Sequence, residues 1–246
     1  MRHQGIYLAA AISVFSGSAA ACDLALVLAV DVSGSVDAHE YRVQMDGLAT
    51  ALRDSVISEA LVRSDAQVML LQWSGSSRQE VSIPWQNVGT FHSVERLAVQ
   101  IETAPRPWRN YSTAIGEALM QGLSLFDQVP DCSRRVIDVS GDGPSNEGLP
   151  PLQVQAALSE GEVTVNAIAI EQTEPHLTAY FYENVIRGEG AFVVTADSFA
   201  DYPERIRRKL LREVARQTAD LSDDRLNEAR TSGLTASVAQ EPIQRN

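Results

Sequence analysis

The stretch Leu24 to Val36, LALVLAVDVSGSV, limits what this chain can fold into more than any other. Leu24 to Val30 is apolar without alternation, which predicts a central β-strand covered on both faces. Asp31 follows directly, so a carboxylate stands at the carboxyl end of that strand, where open α/β sheets bind ligands. Ser33 and Ser35 come next at alternate positions. One carboxylate and two hydroxyls form an all-oxygen cluster, suited to a hard cation such as magnesium rather than to zinc or copper. Taken alone, the same residues also suit a turn and a helix cap. A cation site needs further oxygen ligands from elsewhere in the chain.

The remaining pattern alternates strands with helices. Helical periodicity runs over Asp37–Val56, with Tyr41, Met45, Leu48, Leu52 and Val56 at steps of three and four. Strands follow at Gln67–Trp73 and Val81–Trp85, the second carrying Pro84 and therefore placed at a sheet edge. Phe91, Val94, Leu97 and Ile101 mark a helix. A loop rich in proline and aromatics spans Ala104 to Tyr111, and a helix follows from Thr113 to Phe126. Arg134–Ser140, Val163–Ile170 and Ala191–Thr195 read as strands. Leu152–Ser159, Leu177–Ile186 and Phe199–Arg216 read as helices. This order predicts a doubly wound α/β fold: a mostly parallel six-stranded sheet with helices on both faces. The link from Trp73 to Val81 is too short for a parallel crossover, so that pair forms one short antiparallel edge.

Charge and targeting signals narrow the function. The net charge of -12 argues against nucleic acid and anionic membranes as partners. Residues 1–21 read as a signal peptide: Arg2 and His3, an apolar run from Ile6 to Phe15, then small residues with cleavage at Ala20 or Ala21. The apolar run is too short to span a bilayer. Export to the periplasm or the extracellular space is the expectation. Residues 22–218 form one domain, and the polar segment 219–246 reads as a disordered tail.

Cys22 and Cys132 are the two cysteines, an even count that suggests a disulfide in an exported protein. A lipid anchor at Cys22 competes, because Ala19-Ala20-Ala21-Cys22 faintly resembles a lipidation box. The two readings exclude each other.

Two more oxygen ligands stand where strands or loops feed helices: Thr113, and Asp142 in Ser140-Gly-Asp-Gly143. Cys22 precedes Asp31 by nine residues, and Cys132 precedes Asp142 by ten. If the two strands are parallel neighbours, the cysteines meet at one end as the aspartates meet at the other, since strand rise is shared. Asp138, a carboxylate in mid-strand, is expected to be a partly buried acid with a local donor. The run Arg205, Arg207, Arg208, Lys209 and Arg212, with Glu204 and Glu213 beside it, is expected to be a solvated helix face.

Asp31-x-Ser33-x-Ser35, Thr113 at a helix start and Asp142 after a strand together resemble the metal-ion-dependent adhesion site of von Willebrand factor A domains. The element order resembles that fold over about residues 23 to 216. Asp-Val-Ser-Gly-Ser-Val, Ser-Thr-Ala-Ile-Gly and Val-Ile-Asp-Val-Ser-Gly-Asp-Gly resemble, more narrowly, a bacterial family of exported A-domain-like proteins of unassigned function. The resemblance implies that Ser33, Ser35 and Thr113 ligate a divalent cation, magnesium first with manganese or calcium as alternatives. It implies that Asp31 and Asp142 bind directly or through water, and that one position stays open for an Asp or Glu of a protein partner. Tyr111 and Ser112 depart from the small glycines common in relatives, which would narrow access to the ion.

Trp73, Trp108, Arg109 and Tyr111 fall in segments that should reach the same end of the sheet. They are candidates for partner contact or for packing behind the Thr113 loop. The chain lacks a serine-hydrolase elbow, a zinc cluster and a dinucleotide fingerprint. A magnesium-dependent phosphoryl-transfer enzyme would need an acid two residues after Asp31, where Ser33 stands, and a lysine at a strand end. The reading is therefore a non-catalytic binding module. The phosphoryl-transfer enzyme and a metal-free structural or assembly protein are its competitors.

Overall fold

The structure, a computed structural model, describes residues 22–214. The expected signal peptide with its cleavage point, and the expected tail, lie outside the described residues. Six strands form one sheet: β1 (Leu24–Asp31), β2 (Gln67–Trp73), β3 (Gln79–Asn87), β4 (Arg134–Gly141), β5 (Val163–Ile170) and β6 (Val193–Ala196). Their order across the sheet is β3-β2-β1-β4-β5-β6, parallel except for the antiparallel β2–β3 pair at one edge. The expected architecture is present.

β1 is buried along its whole length, and its two faces differ. Leu24, Leu26, Leu28 and Val30 join one core with α1 (Ala38–Leu52), α2 (Ser55–Arg63), α3 (Phe91–Thr103) and the last described helix, α7 (202–214). Ala25, Val27 and Ala29 join the other with α4 (Ile115–Leu125), α5 (Pro151–Glu160) and α6 (Leu177–Asn184). Period-2 alternation thus sorts large side chains to one face and small ones to the other, while both faces stay apolar.

Several boundaries move from the sequence reading. The helix expected over Asp37–Val56 is two helices, because Asp54 accepts hydrogen bonds from the N–H groups of Val56 and Ile57 and starts α2 anew. Val56 therefore leaves the apolar stripe and is exposed. Phe91 is 60% exposed, since the Thr90 capping box makes it the first residue of α3 and the buried face begins at Ser93 and Val94. β3 is longer than expected. Pro84 lies in the irregular stretch between the Leu70–Ile83 and Val68–Gln86 pairs, where a missing N–H costs no ladder bond.

The basic run on α7 requires a correction. Arg207 pairs with Asp54 and Arg208 with Glu204 at the surface, but Lys209 is fully buried. It stands in the stripe of Tyr202, Ile206 and Leu210, so helical periodicity turns it inward. There its ammonium pairs with Asp138 and with Glu213 (2.9 Å). The partner of Asp138 is thus a remote lysine, not a local donor. Asn166 donates to Glu213 (3.0 Å). Burial, helped by the Glu213 charge, pushes the Asp138 carboxyl up to about 7, against the pull of Lys209.

Cys22 and Cys132 form a disulfide with Cα atoms 4.4 Å apart, which leaves no thiol at Cys22 for a lipid. It closes a loop across a sequence separation of 110. Breaking it with Cys132→Ser should lower unfolding free energy by about 2–5 kcal/mol, read by urea denaturation.

Asp138 yields a pH prediction. Its folded pKa lies above its unfolded value, so the folded state holds the extra proton between about pH 4 and 7. Its contribution to stability is therefore present at pH 4 and lost as pH rises through about 7. Stability of Asp138→Asn relative to wild type should rise across that interval in urea melts; a flat difference would refute the assignment.

Candidate metal centre

The site stands at the carboxyl ends of β1 and β4. Those strands pair Leu24 with Arg134 through to Val30 with Ser140. The disulfide lies in the same register, and the register carried forward puts Gly141 level with Asp31. Asp142 is one residue further on. Gly141 supplies the space: a Cβ there would lie 3.3 Å from Asp31 Oδ2 and 3.3 Å from the Phe181 ring.

Asp31 is fully buried. Its Oδ1 accepts the Ser33 N–H (2.7 Å), which curls the chain after β1. The Ser33 and Ser35 hydroxyls are 3.2 Å apart, and Ser35 Oγ donates to Asp142 Oδ1 (2.6 Å). The carboxylate and two hydroxyls read from the sequence are thus joined to Asp142 by a chain of contacts. Ser35 is free for this because Asp37, not Ser35, caps α1, with Glu40 completing its capping box.

The loop that carries Thr113 is fixed by backbone bonds. Gly34 N–H donates to the Tyr111 carbonyl (2.8 Å), which lays the loop before α4 over the Ser33–Ser35 turn. Thr113 N–H donates to Asn146 Oδ1 (2.9 Å), and Asn146 N–H returns to the Thr113 carbonyl (2.9 Å). Thr113 does not cap α4: the cap position is Ala114, with no side-chain hydrogen bond. Gly116 lets α4 approach the loop after β4, since a Cβ there would lie 2.1 Å from the Leu149 carbonyl oxygen.

Three residues that the sequence reading passed over hold the site together. Arg106 Nη2 donates to the carbonyls of Val32 (3.0 Å) and Ser33 (2.8 Å). Gln44 Nε2 donates to the Asp31 carbonyl (3.2 Å), and its Oε1 accepts from Ser140 Oγ (3.3 Å), tying β1 to β4. Asn146 is the third. Gln44 did leave a signal, as a polar residue inside the apolar stripe of α1.

The electrostatics are those of two acids confined together. Burial pushes the Asp31 carboxyl up to about 8, with the Asp142 charge adding to the rise and the Ser33 bonds and Arg106 opposing it. Asp142 is also raised, first by burial, with Glu40 and Glu174 adding to it and the Ser35 bond opposing. Among the described residues, Asp31 Oδ2 is buried and has no hydrogen-bond partner. A buried carboxylate oxygen without a donor is costly. Among the described residues no group of three His, Cys, Asp or Glu gathers. Two carboxylates and the Ser33 and Ser35 hydroxyls, with Thr113 in the adjoining loop, are nevertheless a donor set that fits a hard divalent cation.

The four residues considered for partner contact separate. Trp73 is fully buried in the core under α4, so it is no surface anchor. Trp108 packs partly buried against the opposite core. Arg109 is exposed, and Tyr111 is 42% exposed with the Arg78 guanidinium 3.6 Å from its ring centre.

A family model described as a protein of unknown function, DUF1194, matches residues 21–218. The chain belongs to the DUF1194 family. Solved structures place this DUF1194 chain among von Willebrand factor A folds. Proximal thread matrix protein 1 from the mussel byssus superposes with a TM-score of 0.58 at 20% identity, covering 79% of this chain and 48% of that one. A form of that protein with a zinc-occupied MIDAS motif gives 0.58 at 22% identity, covering 79% and 49%. A von Willebrand factor type A structure from Catenulispora acidiphila gives 0.53 at 18%, covering 77% and 42%. The DUF1194 chain spans half or less of each of these structures, and at such identities the likeness is one of fold. A comparison with curated proteins finds no match.

The seat of Thr113 can be probed without any metal. Gly116→Ala should destabilise the fold by about 1–3 kcal/mol through the clash with Leu149. Gly143→Ala, where a Cβ meets nothing within 4 Å, should be nearly neutral in the same urea titration.

Proposed function

We propose that this DUF1194 chain is an exported, non-catalytic module that holds a divalent cation and binds a protein partner through it. Ser33, Ser35 and Thr113 would supply hydroxyl oxygens. Asp31 and Asp142 would bind directly or through water, and an Asp or Glu of the partner would complete the shell. Magnesium is the first choice of ion, because the donors are hard oxygens and largely neutral. Neutral hydroxyls leave part of the ion's charge uncancelled, so it attracts an outside carboxylate.

The observation that carries this reading is the buried Asp31–Asp142 pair, tied by Ser33 and Ser35 at the strand ends, with one Asp31 oxygen left unpartnered. The zinc-occupied MIDAS motif of the byssus protein is a precedent for a cation on this fold. A pilus adhesin, SpaC from Lactobacillus rhamnosus GG, shares this fold and is a precedent for adhesion by it. The Cys22–Cys132 disulfide fits an oxidising compartment, periplasmic or extracellular. In this reading residues 1–21 are removed on export, residues 22–218 are the working domain, and residues 219–246 are a tail beyond it. Ser33 stands where a phosphoryl-transfer enzyme would need its acid, and its backbone and hydroxyl are already committed to the Asp31–Ser35 turn.

A ligand that binds only the folded state stabilises it, by about 2.7 kcal/mol at a hundredfold excess over Kd. Saturating magnesium should therefore raise the melting temperature of the wild type over that in chelator, and Asp31→Ala should abolish the rise. Manganese and calcium, run in parallel, rank the ions. A wild-type melt indifferent to all three would sink the proposal.

A further inference from the structure

The surface around the candidate ion is divided by charge, and strand order makes the division. β2 and β3 lie on one side of β1, and β4 and β5 on the other. On the β2 side stand Arg106 and Arg109 in the loop before α4, and Arg78 in the β2–β3 turn. Arg106 holds the Val32 and Ser33 carbonyls. Arg109 is exposed, and its charge, after burial, helps to lower the pKa of Arg106. Neither makes an ion pair within 4 Å, as the described residues are arranged. Arg78 lies over the Tyr111 ring, with Glu147 near enough to feel its charge. Glu147 is held by Ser76, so Arg109 is the cation least balanced on this side.

The β5 side is acidic. Glu40, in the first turn of α1, accepts the N–H of Asp37 (2.7 Å), which follows Ser35 by two residues. Glu40 accepts from Gln172, just past β5 (2.6 Å). Glu174 is exposed in the loop between β5 and α6. Three arginines stand on this rim of a chain with net charge -12, with Asp37 beside Arg106 and Glu147 beside Arg78. Rim charges steer and orient partners more than they add raw affinity.

We propose that the partner segment of this site is itself charge-polarised: a metal-binding carboxylate flanked by acidic residues toward Arg109 and by basic residues toward Glu174. This rests on the cation-dependent binding proposed above and adds the orientation and flanking chemistry of the partner. A uniformly acidic segment gains on the Arg109 side and loses against Glu40 and Glu174. A uniformly basic one does the reverse.

The test uses the full chain with magnesium and short capped peptides carrying one central aspartate in a glycine and serine background. The flanks are neutral, both acidic, both basic, or acidic on one side and basic on the other in both chain orders. Fluorescence anisotropy at low salt reads the affinities, and manganese binding is titrated separately. The better of the two mixed-flank peptides should bind about tenfold tighter than the neutral one and tighter than either uniform peptide. Arg109→Glu should move the preference to basic flanks, and Glu174→Arg should move it to acidic flanks, while both variants still bind manganese. Equal binding of all peptides, or an order that neither variant moves, overturns the charge-polarised partner and leaves the cation site standing. Absence of both manganese binding and peptide binding overturns the site reading, and this inference with it.

Discussion

The parallel pairing of β1 with β4 is the constraint on which the rest depends. Its register is clamped at the amino ends by the Cys22–Cys132 disulfide, which follows the same register as the ladder from Leu24–Arg134 to Val30–Ser140. At the carboxyl ends the same register sets Gly141 beside Asp31 and delivers Asp142 one step later. Strand rise is common to both strands, so a slip at one end would separate the acids at the other. Gln44 adds a second tie near the top, between the Asp31 carbonyl and Ser140. The apolar faces of β1 could be satisfied by more than one neighbour, but only this register aligns both the sulfurs and the carboxylates.

The sheet carries buried acids in two settings, and the contrast is informative. Asp138 and Glu213 share the ammonium of Lys209, so their charge is answered inside the fold. Asp31 and Asp142 have no such lysine. The donors that face them are the Ser33 N–H, the Ser35 hydroxyl and the offset Arg106, and among the described residues Asp31 Oδ2 has no donor. A buried charge is kept when it is paired or when it holds a metal. The first pair follows the former route, and the proposed function assigns the second to the latter. The positions on the strands agree with this division: Asp138 is in mid-strand beneath α7, whereas Asp31 and Asp142 stand at the end where loops can admit a ligand.

Much of the fold was legible because its signals are local. The alternation-free run of β1, the turn after Trp73 and the stripes of α4 and α7 each report a periodicity within a few turns of chain. Where the reading failed, a competing local interaction or a long-range partner intervened. Asp54 restarted a helix that apolar periodicity would have continued. Thr90 moved the start of α3 and left Phe91 in solvent. Lys209 looked like one more surface cation, because its neighbours Arg207 and Arg208 are, and its true partner lies 71 residues earlier on β4.

The sequence by itself determined the layer order, the edge strand and which oxygens stand at strand ends, since these follow from period, proline and spacing. It also suggested the cysteine pairing, through offsets that a shared strand rise makes meaningful. Tertiary structure alone decided that Trp73 is core and Tyr111 is surface. It alone disclosed Arg106, Gln44 and Asn146 as the residues that seat the ligands, and set an arginine rim against a glutamate rim across the site. Those outcomes depend on which loops the strand order makes neighbours, and no window along the chain contains both members of such a contact.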